Sequence, residues 1–164
     1  MINHHPCKTM KSKLTDAVKS CFNIYFAFVS ALEEIQIVSE LSHKLKKIRW
    51  NDSHFDKNIT NYKEFTISDA KSFPVFYTAV LPKLSTYLYA ENMLPVHVLE
   101  LGEDGSISPH IDNKEYSGSV IAGLSLQRDS TLIFSNASEK VQIKLPRRSL
   151  YVQRYIYITF ENCN

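Results

Sequence analysis

The sequence predicts an α+β domain in which short strands form a small barrel or jelly roll behind buttressing helices. Three observations carry this. A capping-box signature, Ser30-Ala31-Leu32-Glu33, opens a run with apolar residues at helical spacing. From Pro95 onward the texture changes to short alternating strands separated by turn residues. The chain is 164 residues long, 44% hydrophobic, with nine Phe, nine Tyr and one Trp, enough for one domain with a substantial core.

In chain order, Asn23–Val29 is an apolar run expected as a strand. Residues 31–48 are expected as an amphipathic helix, with Ile35, Val38, Leu41, Leu45 and Ile48 in phase. Lys44, Lys46, Lys47 and Arg49 crowd its end, where cations complement the helix dipole. Residues 50–66 read as loop with short extended pieces. Ser72 is the expected cap of a second helix with Pro74 in its first turn, to be kinked or split by Pro82. Strands are expected at Val96–Leu101, Ile107–Asp112, Ser119–Leu126, Ser130–Phe134, Lys140–Leu145, Leu150–Val152 and Tyr155–Phe160. Gly102-Glu103-Asp104-Gly105 is the expected turn between the first two. There is no internal repeat.

Net charge is +2, too small to announce a nucleic-acid binder. Its distribution is uneven: residues 1–50 hold eight Lys/Arg against four acids, residues 100–129 six acids against two bases. An acidic segment suits a cation better than a phosphate backbone. Cys7, Cys21 and Cys163 are few and widely spaced, which suggests a reducing compartment. No run of eighteen apolar residues marks a membrane span. Residues 1–24 read either as a basic tail or as a transit peptide, with Lys8, Lys11, Lys13 and Lys19 against Asp16 alone.

The chemistry-bearing motif is Pro109-His110-Ile111-Asp112. In an extended segment, residues two apart share a face, so an imidazole and a carboxylate would point together at one divalent metal. Such a pair forms two thirds of the facial triad that holds non-haem Fe(II) and leaves positions open. Chance alone gives roughly 0.6 H-x-D/E pairs in such a chain, so a surface pair is the competing reading and the flanks must decide. No histidine follows His110 in the sequence.

The flanks resemble AlkB-type dioxygenases that depend on Fe(II) and 2-oxoglutarate, in the mitochondrial branch of that family. The likeness runs over residues 25–154. It is carried by Phe28-Val29-Ser30 with Glu33-Glu34; by Asp52-Ser53-His54-Phe55-Asp56 with Ile59 and Tyr62-Lys63-Glu64; by Val96-His97-Val98-Leu99-Glu100-Leu101; by Ile107-Ser108-Pro109-His110-Ile111-Asp112; by Ile121–Leu126; and by Ser149-Leu150-Tyr151 with Arg154. The resemblance implies a double-stranded β-helix over residues 25–164. It implies His110 and Asp112 as iron ligands, Tyr151 as a hydrogen-bond partner of 2-oxoglutarate, and His97 as a polar residue lining the co-substrate pocket. Packing roles for Tyr151 and His97 are the alternatives.

After Arg154 the likeness stops. The distal histidine and two co-substrate arginines of the family have no counterpart in Tyr155–Asn164. The expectation is a jelly roll whose last strands are incomplete, through an isoform, a misassembled end or true divergence. The function expected from the resemblance is oxidative hydroxylation or demethylation in the mitochondrial matrix, with roles in regulated necrosis and fatty-acid metabolism. The alternative is a catalytically impaired pseudo-dioxygenase that serves as a binding module. A protein or small-molecule substrate is favoured over mitochondrial RNA, and a monomer is expected.

Overall fold

The structure is a computed structural model that describes residues 13–54, 57–88, 95–111 and 118–154. The expected strand at Tyr155–Phe160 and the tail before residue 13 lie outside the described residues.

Helix α1 (Lys13–Cys21) leads directly into strand β1 (Phe22–Tyr25). The expected boundary after residue 24 therefore falls inside a strand. Val18 and Phe22 are buried, and the backbone N–H of Leu14 donates to the Glu139 carboxylate at 2.9 Å. Helix α2 (Ala31–Leu45) begins as the sequence predicts: Glu33 N–H donates to Ser30 Oγ at 3.1 Å, and Ser30 N–H donates to Glu33 Oε2 at 2.7 Å.

Strands β2 (Asn51–Ser53) and β3 (Ile59–Ile67) follow. Residues 50–66, which include most of β3, were expected as loop with short extended pieces. Strand β3 forms in full because β4 supplies a partner along its whole length. Propensity alone does not reveal such pairing.

The second helical segment departs from expectation at its start. Ser72 does not cap it; its hydroxyl donates to Asp69 Oδ2 at 3.2 Å beside a short 3₁₀ turn (Ala70–Ser72). The cap comes from α2 instead: Glu40 accepts from Val75 N–H at 2.8 Å and from Phe76 N–H at 3.4 Å. A π-helical turn (Phe76–Val80) precedes helix α3 (Leu81–Leu88). The wide turn sits just ahead of Pro82, whose ring would otherwise press on a preceding carbonyl.

Strands β4 (Val96–Ile107), β5 (Val120–Leu124), β6 (Ser130–Ser135), β7 (Lys140–Leu145) and β8 (Leu150–Arg154) complete the chain order. Among the described residues all pairings are antiparallel, in three sheets ordered β1-β8-β5, β2-β3-β4 and β6-β7. On β8, Leu150 and Val152 point to a core shared with Val29, with Ile37 of α2, and with Val80 and Leu84 of the second helical segment. The intervening Tyr151 points the other way and stacks on Phe22, which meets Phe134 of β6 edge-on at 5.2 Å. Helices thus cover one face of the β1-β8-β5 sheet, and the β6-β7 hairpin approaches the other. The α+β class is as expected, and this layering is compatible with a jelly roll.

Two loops are tied to α2 by the buried Glu34, which is only 2% exposed. Its carboxylate accepts from Gln127 N–H at 2.7 Å and from Arg147 Nη2 at 2.6 Å, with Arg147 Nε at 3.2 Å. Burial pushes its pKa up. The Arg147 and Gln127 hydrogen bonds and the charges of Arg147 and Arg148 outweigh that, so the net shift is downward.

Candidate metal centre

Strand β4 ends at Ile107, and Ser108–Ile111 continue without strand pairing as an exposed segment. Its start is fixed by Ser108 N–H, which donates to the Asn58 carbonyl at 2.7 Å. Of the strand expected at Ile107–Asp112, only Ile107 is strand, as the last residue of β4, so His110 does not stand on a paired strand. Asp112 lies outside the described residues, and its geometry against His110 with it.

His110 Nδ1 lies 2.8 Å from the Ser108 carbonyl oxygen. That oxygen only accepts, so Nδ1 carries the proton and, in the neutral ring, Nε2 carries the lone pair. This is the arrangement by which proteins orient a metal-binding imidazole. Among the described residues, no three His, Cys, Asp or Glu side chains are grouped to hold a metal.

The Gly102–Gly105 segment was expected to turn the chain back and does not. It is a bulge within β4: Thr60 pairs with Ser106, whereas Tyr62 pairs with Leu101. Asn61 opposite it has a positive φ of 46°, and a Cβ on Gly105 would lie 2.6 Å from the Asn61 carbonyl oxygen. Glycine here permits close backbone approach, not reversal.

Because β4 runs on, His97 and His110 fall at opposite ends of it. His97 pairs with Thr66 and Ile107 with Ile59, so the intervening β3 residues put His97 roughly 20 Å from Ile107, the strand end that leads to His110. His97 is exposed, and its Nε2 lies 2.8 Å from Glu64 Oε2. His54 Nε2 lies 3.9 Å from Glu64 Oε1. Glu64 is a partner that sequence reasoning missed; only its quoted place in the Tyr62-Lys63-Glu64 stretch hinted at it. Glu100 on β4 is also paired: its Oε2 is 3.4 Å from Lys63 Nζ, and that ammonium lies 4.3 Å from the Trp50 ring centroid.

Tyr151 is half-buried on β8, paired with Ile24 on one side and Gly123 on the other. Its ring lies across Gly123 so closely that a Cβ there would enter it. It stacks on Phe22 with centroids 5.6 Å apart and rings inclined by 20°. The structure thus places Tyr151 between sheet and hairpin, and His110 beyond the end of the β2-β3-β4 sheet.

No family model matches the chain. It is similar to AlkB-type dioxygenases, which use 2-oxoglutarate (alpha-ketoglutarate), as read from residues 25–154. Within that class it resembles two mitochondrial proteins of one branch. It is 29% identical over 137 residues to the mouse (Mus musculus) alpha-ketoglutarate-dependent dioxygenase alkB homolog 7, covering 80% of this chain and 61% of the relative. It is 29% identical over 133 residues to the cattle (Bos taurus) protein of the same name, covering 77% and 59%. The chain thus spans about three fifths of the length of these relatives. A matched span of that size within 164 residues contains positions 110 and 112 wherever it starts.

Proposed function

We propose that this chain is the AlkB-type part of an Fe(II)- and 2-oxoglutarate-dependent dioxygenase of the mitochondrial matrix, carrying out oxidative hydroxylation or demethylation. The observation that carries this is the match to two alpha-ketoglutarate-dependent dioxygenases across a span that includes His110 and Asp112. The double-stranded β-helix of that family is the fold we propose around it, with β1-β8-β5 and the β6-β7 hairpin as opposed layers.

The donor set suits iron. His110 offers an oriented imidazole through its bond to the Ser108 carbonyl, and Asp112 two positions on supplies a carboxylate. Non-haem Fe(II) with 2-oxoglutarate and dioxygen supplies the oxidation of a C–H bond, 2-oxoglutarate leaving as succinate and CO₂. The residues of the chain bind and orient. The Ser108 carbonyl keeps the His110 proton on Nδ1, and Tyr151 offers a phenol between the layers to hydrogen-bond the co-substrate. His97, held by Glu64 at the far end of β4, is better read as a sheet-surface pair than as a pocket residue. The acidic balance of residues 100–129 favours a protein or small-molecule substrate over RNA.

A second reading, a binding module with impaired turnover, draws on one feature: no histidine follows His110 within these residues to complete the triad. Mn(II) titration and succinate release separate the readings. Mn(II) binding that is lost in His110→Ala, together with succinate release, supports the dioxygenase. The same His110-dependent binding without succinate supports the module. Mn(II) affinity unchanged by His110→Ala overturns both.

A further inference from the structure

The outward face of α2 is unusual in what it lacks. At 100° per residue, Leu32, Ile35, Gln36, Ser39, His43, Lys46 and Lys47 share one side of the helix. That side holds no acid. Of the three carboxylates between residues 31 and 50, Glu33 is bound to Ser30 and Lys83, Glu34 to Arg147, and Glu40 to Val75 and Phe76. Every acid of the helix is consumed by internal contacts.

What remains outside is aliphatic at the N-terminal end and cationic, with one aromatic, at the C-terminal end. Leu32 is 65% exposed, Ile35 is 64% exposed, and Trp50 just beyond the helix is 46% exposed. Lys46, Lys47 and Arg49 are all exposed, and among the described residues none has a carboxylate within 4.0 Å. Cations at a helix C-terminus complement its dipole, which explains one or two of them. It does not explain two large aliphatic side chains in water on the same face.

We infer that this face docks on an anionic lipid surface, with Lys46, Lys47 and Arg49 on the headgroup phosphates and Leu32, Ile35 and Trp50 against the acyl boundary. The charge complementarity is one-sided along the helix, since that side of α2 carries no acid. The exposed aliphatics decide between lipid and nucleic acid. A single strand would stack bases on an open aromatic and gains nothing from Leu32 or Ile35, whereas a bilayer buries both. Trp50, amphipathic and held beneath the Lys63 ammonium, is the residue type found at such boundaries. This contact is peripheral; among the described residues no helix is long and apolar enough to span a bilayer.

The test is co-sedimentation of the whole chain with vesicles of phosphatidylcholine alone and of phosphatidylcholine mixed with phosphatidylglycerol. Binding to the mixed vesicles only, weakening as salt rises, is expected. Each cation near an anionic leaflet tightens binding about fivefold, so the double change Lys46→Gln with Lys47→Gln weakens it about 30-fold. Leu32→Ser with Ile35→Ser weakens it independently of salt. These positions are exposed, and unchanged far-ultraviolet dichroism confirms that the variants fold. Absence of binding to the mixed vesicles overturns the inference. So does binding indifferent to Leu32 and Ile35, or a single-stranded RNA that binds the chain and displaces it from the vesicles.

Discussion

Replacing Glu34 by Gln tests how the domain is held together. The substitution keeps the size of a side chain that is 2% exposed and removes its charge. It also places an amide NH₂ where one carboxylate oxygen stood. That group faces either the Arg147 guanidinium or the Gln127 N–H, and both are donors. Two flanking residues, Gln127 at φ 70° and Arg148 at φ 67°, occupy the left-handed region that non-glycine residues enter only at a cost of about 1 kcal/mol or more. The Glu34 bonds hold both loops in that geometry. Breaking a buried ion pair from one side costs about 3–5 kcal/mol. The Arg147 side chain is 49% exposed and can rehydrate, so the expected loss is toward the lower end, about 2–4 kcal/mol. For a domain of this size that lowers the melting temperature by about 5–15 °C. Urea denaturation should show a lower midpoint with an unchanged slope. Adding Arg147→Met to Glu34→Gln should cost much less than the sum of the two single changes, since each single change strands the other member of the pair and the double change strands neither. A Glu34→Gln protein within about 0.5 kcal/mol of the parent, or an additive double mutant, would refute the assignment of Glu34 as the tie between α2 and the two loops.

Three further outcomes follow from the same geometry. The Glu33 carboxyl, hydrogen-bonded by Lys83 and by Ser30, is lowered from 4.5 to about 2. A depressed carboxylate stabilises above its unfolded pKa, so this contribution is present above about pH 4.5 and is lost as pH falls toward 2; acid-unfolding curves of Glu33→Gln should be flatter in that window. Glu40→Ala leaves Val75 and Phe76 N–H without their acceptor and should cost about 1 kcal/mol in urea denaturation, the size of a lost helix cap. Gly105→Ala forces a Cβ to within 2.6 Å of the Asn61 carbonyl oxygen and should destabilise by about 1–3 kcal/mol, whereas an alanine tolerated there would mean the bulge in β4 is absent.

What could be read from the sequence followed how local its cause was. The α2 start was legible because Ser30 and Glu33 satisfy each other's backbone three residues apart. β7 was legible to the residue because strict alternation identifies a half-buried strand. The cap on the Pro74 segment was not, because Glu40 reaches it from 35 residues away while the nearer Ser72 is taken by Asp69. The role of Glu34 had no local signal, only its place in the Glu33-Glu34 stretch of the likeness, since its partners lie 93 and 113 residues on. The Tyr151 position emerged from likeness alone; its contact with Gly123 depends on cross-strand register, which no single segment encodes.

The Gly102–Gly105 stretch shows how a local signal decides the candidate site and can be read two ways. Two glycines around two acids are the composition of a reverse turn. Had they made one, His97 and His110 would stand on adjacent strands and share a pocket. Asn61 across the ladder changes the outcome. Its left-handed backbone stands opposite the bulge in β4, and the absence of a side chain at Gly105 lets the two backbones meet. The same glycines then serve close approach, and the strand continues to Ile107. His110 is delivered past the strand end with its ring set by the Ser108 carbonyl, while His97 stays behind with Glu64. The two histidines therefore answer to different constraints: substitution of Glu64 should alter the environment of His97 and leave that of His110 unchanged, a separation visible in their imidazole proton resonances.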